Sequence, residues 1–115
     1  MQIGRYDITI KRGDTYRQDF LFRYQKNDAV VNLTGIIAAA EVRPSKDSPV
    51  LTQVMTCQIY PTEGRIQLSI PSADTAKIKA GFYEWDLKLI DTNAADDVSY
   101  DIEGQFIVTG SVTEP

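Results

Sequence analysis

The feature that most restricts the fold is the segment Gly81 to Asp91, Gly-Phe-Tyr-Glu-Trp-Asp-Leu-Lys-Leu-Ile-Asp, in which apolar and polar residues alternate strictly from Tyr83 to Leu89. Every second residue is apolar, and the only tryptophan, Trp85, lies in the middle of the series. The apolar positions are Tyr83, Trp85, Leu87 and Leu89, and the polar positions between them are Glu84, Asp86 and Lys88. Because side chains alternate across a strand with period two, the segment predicts a β-strand with one buried face. The rest of the chain has to cover that face.

Similar short series recur along the chain. The other predicted strands are 6–11, 15–24, 36–43, 50–60, 65–70 and 98–108. Segment 36–43 is also compatible with a helix because it is rich in alanine, but Gly35 and Pro44 leave room for only about two turns, which favours a strand. The alternation slips at Val54, which predicts a bulge, and Gly104 predicts a second bulge or a close approach of Trp85.

Turn residues separate these segments. The predicted turns are 12–14, 26–28, 32–35, 44–49, 61–64 and 92–97. In the turn at 32–35, Leu33 is predicted to fill the edge of the core and Gly35 to adopt a backbone conformation that other residues avoid. Segment 72–78 predicts one or two helical turns, capped by Ser72 and anchored on the core by Ile78.

These elements predict the fold class. Seven or so strands in 115 residues, separated by short turns, indicate an all-β domain spanning residues 1–115. The long connection and the single helical turn are similar to those of immunoglobulin-like sandwiches. We therefore expect an antiparallel immunoglobulin-like β-sandwich of about seven strands with one short helical turn. The aromatic residues of segment 15–24 are expected in its core.

The composition excludes most catalytic chemistry. The chain has no histidine and one cysteine, Cys57, so an imidazole metal site, a pair of thiolates and a serine–histidine triad are all impossible within it. Cys57 has no activating base and is expected to be inert, and a single cysteine suits a reducing cytoplasm. The net charge of −4 and the scattered basic residues argue against binding to nucleic acid or to a membrane surface. We expect no enzyme activity, no cofactor and no metal.

Three patterns leave alternatives open. Arg12-Gly13-Asp14 matches an adhesion tripeptide, although a turn between two strands explains it. Paired carboxylates, Glu84 with Asp86 or Asp101 with Glu103, could act on a glycoside, although such residues commonly form a solvated sheet face. Four acidic residues around one loop could bind calcium, although a solvated acidic loop is the simpler explanation. They are Asp91, Asp96, Asp97 and Asp101.

Several short motifs occur in a defined order. They are Arg12-Gly13-Asp14-Thr15, Leu33-Thr34-Gly35, Val42-Arg43, Gly64 to Ile70, Asp74-Thr75-Ala76, Gly81 to Leu87 and Gly104 to Thr109. In this order and spacing, nearly the whole chain resembles a group of small structural proteins of tailed bacteriophages. The resemblance implies a β-sandwich that is part of the virion and that has no catalytic residues. The lack of a fibre-like repeat favours an adaptor or decoration protein over a fibre shaft or receptor-binding tip.

The expected function follows from this resemblance. We expect a non-enzymatic virion component, made in the cytoplasm of the bacterial host, that docks to other virion structural proteins in a symmetric homo-oligomeric or hetero-oligomeric assembly. The tail, baseplate or tail-fibre attachment is the first expected location, and capsid decoration is the alternative. A carbohydrate-binding adhesion module is an alternative of a different class, and it would use exposed aromatic residues such as Tyr60, Phe82 or Tyr100.

The candidate contact residues lie in two polar loops and on one strand face. The loop residues are Pro44, Lys46, Asp47, Pro49, Asn93, Asp96 and Asp97. Phe82, Ile90 and Ile107 are predicted to face away from the core. They are further contact candidates unless a second layer of the protein covers them.

Overall fold

The computed structural model describes residues 4–24, 26–92 and 97–110, with the stretch 97–101 described by its backbone. This part of the chain forms strands β1 (Gly4–Arg5), β2 (Ile8–Lys11), β3 (Tyr16–Leu21), β4 (Ile36–Arg43), β5 (Gln53–Tyr60), β6 (Arg65–Ile70), β7 (Gly81–Asp91) and β8 (Asp97–Thr109). A 3-10 turn covers Pro61–Glu63, and the helical turn α1 covers Ser72–Thr75. The prediction of an all-β fold is confirmed. β4, β6 and β7 have the predicted bounds, whereas β2, β3 and β5 are shorter than predicted.

The strands form one curled sheet in the order β1-β8-β7-β4-β5-β6-β3, and β2 also pairs with β8. β1 and β2 run parallel to β8, so the predicted purely antiparallel pairing is wrong at this edge. The other pairs are antiparallel.

β5 joins the two halves of the sheet. Its residues 53–55 pair with β4, and its residues 56–60 pair with β6. The bulge predicted at Val54 is absent from this pairing, and the strand instead changes partner directly after Met55. The alternation slips there because the two ends of β5 belong to different halves of the sheet.

The core lies inside the curl, with β7 between β4 and β8. Trp85, Leu87 and Leu89 are almost completely buried. Phe20 of β3 lies with its ring centroid 5.9 Å from that of Trp85, and Tyr16 of β3 lies 6.3 Å from Phe106 of β8. Although β3 is the last strand in the pairing order, it therefore faces β7 and β8 across the core.

β8 contains one bulge, and its position differs from the prediction. Leu87 pairs with Ile102 but Lys88 pairs with Tyr100, so β8 has one additional residue at position 101. The alternation from Val98 to Val108 predicts that its apolar residues share one face. This prediction is wrong, because the bulge brings positions 98 and 100 into register with Ile90 and Lys88, on the outward side of β7.

Gly104 marks a close approach of backbone. It pairs in regular register with Trp85, and a Cβ atom on it would lie 2.1 Å from the carbonyl oxygen of Tyr6. The indole Nε1 of Trp85 donates a hydrogen bond of 2.8 Å to the same oxygen. The backbone N–H of Tyr6 donates to Glu103, and that of Gln105 donates to the Asp7 carboxylate. These hydrogen bonds therefore hold the segment between β1 and β2 against β8 at Gly104, where glycine has no Cβ atom.

The Arg12-Gly13-Asp14 tripeptide forms the turn between β2 and β3. Gly13 has φ 91°, in the region that favours glycine. The buried hydroxyl of Thr75 accepts a 3.2 Å hydrogen bond from the Gly13 N–H and donates a 2.8 Å bond to the Asp14 carbonyl. Two motifs that are 61 residues apart in the chain are thus in contact, and the turn has a structural role.

The environment of α1 differs in part from the prediction. The residue before the helix is Pro71, and no side chain caps the first turn, so the predicted Ser72 cap is wrong. Ile78, 3% exposed, anchors the segment as predicted, and Leu33, also 3% exposed, fills the core edge. Gly35 has the predicted positive φ, at 83°.

Candidate docking surface

The side of β5, β4, β7 and β8 that points away from the core is called the outer face here. Phe82 on β7 is 75% exposed, and Ile37 on β4 is 53% exposed. Ile90 and Ile107 are partly buried. Single exposed apolar residues are common on protein surfaces, whereas a group of them can mark a docking site. The predicted outward position of these residues is confirmed, and no described element covers Phe82.

The strand registers place an apolar pair at each end of the outer face, while exposed Val54 of β5 lies beside Glu41 between these ends. Phe82 lies opposite Ile107 at one end, and Ile37 lies opposite Ile90 at the other. Between these ends, Glu41, Asp86 and Glu103 stand side by side on β4, β7 and β8. We call these three residues the carboxylate row.

A groove of about 340 Å³ lies over the carboxylate row. Ser45 and Lys46, from the loop between β4 and β5, form one wall of this central groove. The Lys46 Nζ lies 3.3 Å from the Glu103 carboxylate on β8, so the loop reaches over β7. The other basic residues that line the groove are Arg5, Arg43 and Lys88.

The charges in the groove are compensated unequally. Glu41 pairs with Arg43 at 3.0 Å, and Glu103 pairs with Lys46. The Asp86 carboxylate forms no hydrogen bond and no ion pair with any residue that the structure describes. Partial burial raises the pKa of Asp86, and so do the charges of Glu41 and Glu103, against the opposing effect of Lys88 and Arg43. The ionised Asp86 carboxylate therefore lacks an ion-pair partner among the described residues, and a cation from outside would stabilise it.

The structure places the candidate loop residues as follows. Pro44, Lys46, Asp47 and Pro49 are all exposed, and their loop lies beside the central groove. Asn93 and Asp96 lie outside the described residues. Asp97 begins β8, opposite Asp91. The first of the two predicted loops is thus placed at the outer face, and the second lies largely outside the described residues.

The structure describes only some of the acidic side chains on which the glycoside and calcium hypotheses depend. Glu84 and Asp86 both line the groove, as their shared strand face predicted. Glu41 was missed, because the sequence does not show which residue of β4 lies beside Asp86. Within ranges 4–24, 26–92 and 97–110, no three acidic or cysteine side chains are placed to hold a metal ion. The calcium hypothesis stays a prediction, because Asp96 lies outside those ranges and Asp97 and Asp101 are described by their backbone.

Other predicted groups are not gathered at this surface. The Arg65 guanidinium lies 3.8 Å from the centroid of the Tyr60 ring. It therefore covers one face of that ring, in a cation–π contact. Tyr100 is described by its backbone alone. Cys57 is partly buried, and burial raises the pKa of its thiol, which disfavours the nucleophilic thiolate.

Comparison with known proteins identifies no family. No protein-family model matches the sequence, and no curated protein matches it. An internalin-like protein of Listeria monocytogenes superposes with a TM-score of 0.41 and 13% sequence identity, over 95% of this chain and 28% of the other. A family 123 glycoside hydrolase from Clostridium perfringens superposes with a TM-score of 0.41 and 12% identity, over 97% and 24%. The chain spans about a quarter of the length of these two proteins, and likeness at this level carries no argument about function. The described helices are single turns, too short to cross a membrane.

Proposed function

We propose that this chain is a non-enzymatic structural component of a tailed-phage virion and that it works by docking to neighbouring virion proteins. The ordered motifs that resemble small phage structural proteins support the virion assignment. The observation that carries the docking role is the outer face, where Phe82 is 75% exposed beside a charged groove. The proposed location is the tail, baseplate or tail-fibre attachment, and capsid decoration is the alternative.

The fold we propose for this role is an immunoglobulin-like sandwich. Three features support it: the first strands run parallel to the last strand, β5 passes from one half of the sheet to the other, and β3 faces β7 across the core. An experimental structure should place β6 and β3 about 10 Å from β8, β7 and β4 as a second layer. Direct pairing of β3 with β2 would instead close a barrel and contradict the sandwich.

Docking on the outer face has a simple physical basis. Covering Phe82 would contribute about 2 kcal/mol, and aromatic residues are frequent centres of binding energy. The apolar pairs at the two ends of the face would be buried in the same contact. A lysine or arginine of the partner would enter the central groove and compensate the charge of Asp86.

Counting the chain in purified phage particles tests the virion assignment. Quantitative mass spectrometry would compare its copy number with that of the major capsid protein. A low multiple of the rotational symmetry of the tail supports the tail location, and a number close to that of the capsid protein indicates a decoration protein. Particles without the chain would refute the virion assignment.

Substitution of Phe82 tests the docking surface. Phe82→Glu should leave the chain folded, because the ring is exposed, but should reduce its incorporation into particles. Tyr24→Glu is the matched control, since Tyr24 is a 54% exposed aromatic residue outside the outer face. Equal incorporation of the two variants would show that the outer face does not dock.

A carbohydrate-binding role is the second candidate, and the exposure of Phe82 favours it, because an exposed ring can stack on a sugar. A glycan array probed with the purified chain and with Phe82→Ala separates the two functions. Binding that Phe82→Ala abolishes supports adhesion. A chain that binds no glycan but is incorporated into particles supports docking alone.

A further inference from the structure

We infer that the free edge of β3 pairs with the same edge of a second copy of this chain, so that two molecules form one continuous sheet. This surface is separate from the outer face, and the inference does not depend on the virion assignment. Within the described ranges, β3 pairs along its whole length with β6 and with no other strand. An edge strand presents unpaired backbone N–H and C=O groups, which another strand can use.

The sequence of β3 is complementary to itself when two copies run antiparallel. With Gln18 of one copy opposite Gln18 of the other, Arg17 lies opposite Asp19 of the second copy, and Asp19 lies opposite its Arg17. Opposite charges placed directly across from each other stabilise a strand pair, whereas like charges destabilise it. Tyr16 and Phe20 are already buried within one molecule, so the charged side of β3 decides the register.

Neighbouring registers lack this complementarity. An axis at Arg17 would place the two guanidinium groups opposite each other, and an axis at Asp19 would do the same with the two carboxylates. Of these three registers, only the one centred on Gln18 pairs opposite charges. That register also places Leu21, 58% exposed, opposite Thr15 of the second copy, where part of its apolar surface would be covered.

The two charged side chains are available for this contact. Arg17 is exposed and forms no ion pair with any residue in the described ranges. Asp19 accepts hydrogen bonds from Arg65 and Gln67, both on its Oδ1 atom at 3.2 Å. These bonds hold the Asp19 carboxylate in place and leave its Oδ2 atom for an arginine of a second copy.

The expected dimer is weak. One six-residue edge buries less than the roughly 1,200 Å² that stable complexes commonly bury, so association should depend on protein concentration. A continuous sheet built in this way also gives two-fold symmetry with the same residues on both sides of the interface.

Sedimentation equilibrium of the purified full chain over a wide concentration range tests the inference. The wild type should show a monomer–dimer equilibrium. Arg17→Asp should raise the dissociation constant by about tenfold, because it creates two like-charge pairs. The double variant Arg17→Asp/Asp19→Arg should recover only part of the loss, since it keeps opposite charges across the strand pair but replaces the partner of Arg65 within each molecule by a like charge.

Lys77→Asp is the control, because it makes the same charge change at an exposed residue away from β3. Circular dichroism would confirm that each variant is folded. A wild type that stays monomeric at the highest concentration would overturn the inference, and so would equal weakening by Arg17→Asp and Lys77→Asp. A monomeric chain found in particles would refute this dimer and leave the proposed function intact.

Discussion

Replacing Gly104 by alanine should strongly destabilise this protein. The new Cβ would lie 2.1 Å from the Tyr6 carbonyl oxygen, 2.7 Å from its carbonyl carbon and 2.9 Å from the Asp7 carboxylate. Two of these three atoms are backbone, so a rotamer change cannot relieve the contact. The segment between β1 and β2 would have to move away from β8.

The expected cost follows from three contributions. Overpacking of this kind costs about 1–3 kcal/mol. Movement of Tyr6 removes the acceptor of the buried Trp85 indole N–H, which costs about 1–3 kcal/mol more. Alanine restricts the unfolded chain and returns about 0.4–1 kcal/mol. The net loss should therefore be about 1–6 kcal/mol.

Urea unfolding monitored by the fluorescence of Trp85 measures this loss directly, because Trp85 is the only tryptophan and lies beside the substituted position. Gly110→Ala is the matched control, since a Cβ at Gly110 meets no atom within 4 Å. The free energy of unfolding of this control should differ from the wild type by less than about 1 kcal/mol. Equal stability of Gly104→Ala and Gly110→Ala would refute the close packing of Tyr6 on β8.

Three further predictions concern single side chains. Thr75→Val should lower the free energy of unfolding by about 1–3 kcal/mol, because the Gly13 N–H and the Asp14 carbonyl lose their partner. Thr75→Ser keeps the hydroxyl, so it should lower the free energy of unfolding by less in the same urea experiment. Asp86→Asn should stabilise the protein by about 0.2–1 kcal/mol at pH 7. Because the pKa of Asp86 is raised in the folded chain, its contribution to stability is present at low pH and is lost as the pH rises through that pKa. The stability gained by Asp86→Asn should therefore vanish in acid. A gain that persists in acid would contradict the electrostatic reason. Cys57 should react with a thiol reagent at pH 8 much more slowly in the folded chain than in urea, since burial raises its pKa, and equal rates in the two states would contradict this.

The strands were the most predictable part of the fold. The bounds of β4, β6 and β7 follow from alternation that ends at Pro44, Pro71 or a turn, and the buried face of β7 follows from the same pattern. The ends of β3 and β5 were less predictable. Phe22 donates a backbone hydrogen bond to Gly64 outside the strand ladder, and Val50 precedes the pairing with β4, although both residues have strand-like sequence.

Part of the candidate docking surface could also be predicted from the sequence. Phe82, Ile90 and Ile107 alternate with buried residues, which predicts their position on the outer face, and the polarity of the loop with Pro44 and Lys46 predicts its exposure. The carboxylate row could not be predicted. It depends on Glu41, which comes from a strand 45 residues away from Asp86 in the chain.

For β4, β6 and β7, the sequence by itself determined which residues are strand and which face is buried, because alternation with period two is a local property of an extended backbone. Only the tertiary structure decided which residues are neighbours across strands. A shift in register by two residues keeps every apolar side chain on the buried face, so the pattern that predicts the core cannot select the partner of Asp86. For the same reason, Gly104 indicated that something approaches closely, and only the folded chain shows that it is the backbone of Tyr6.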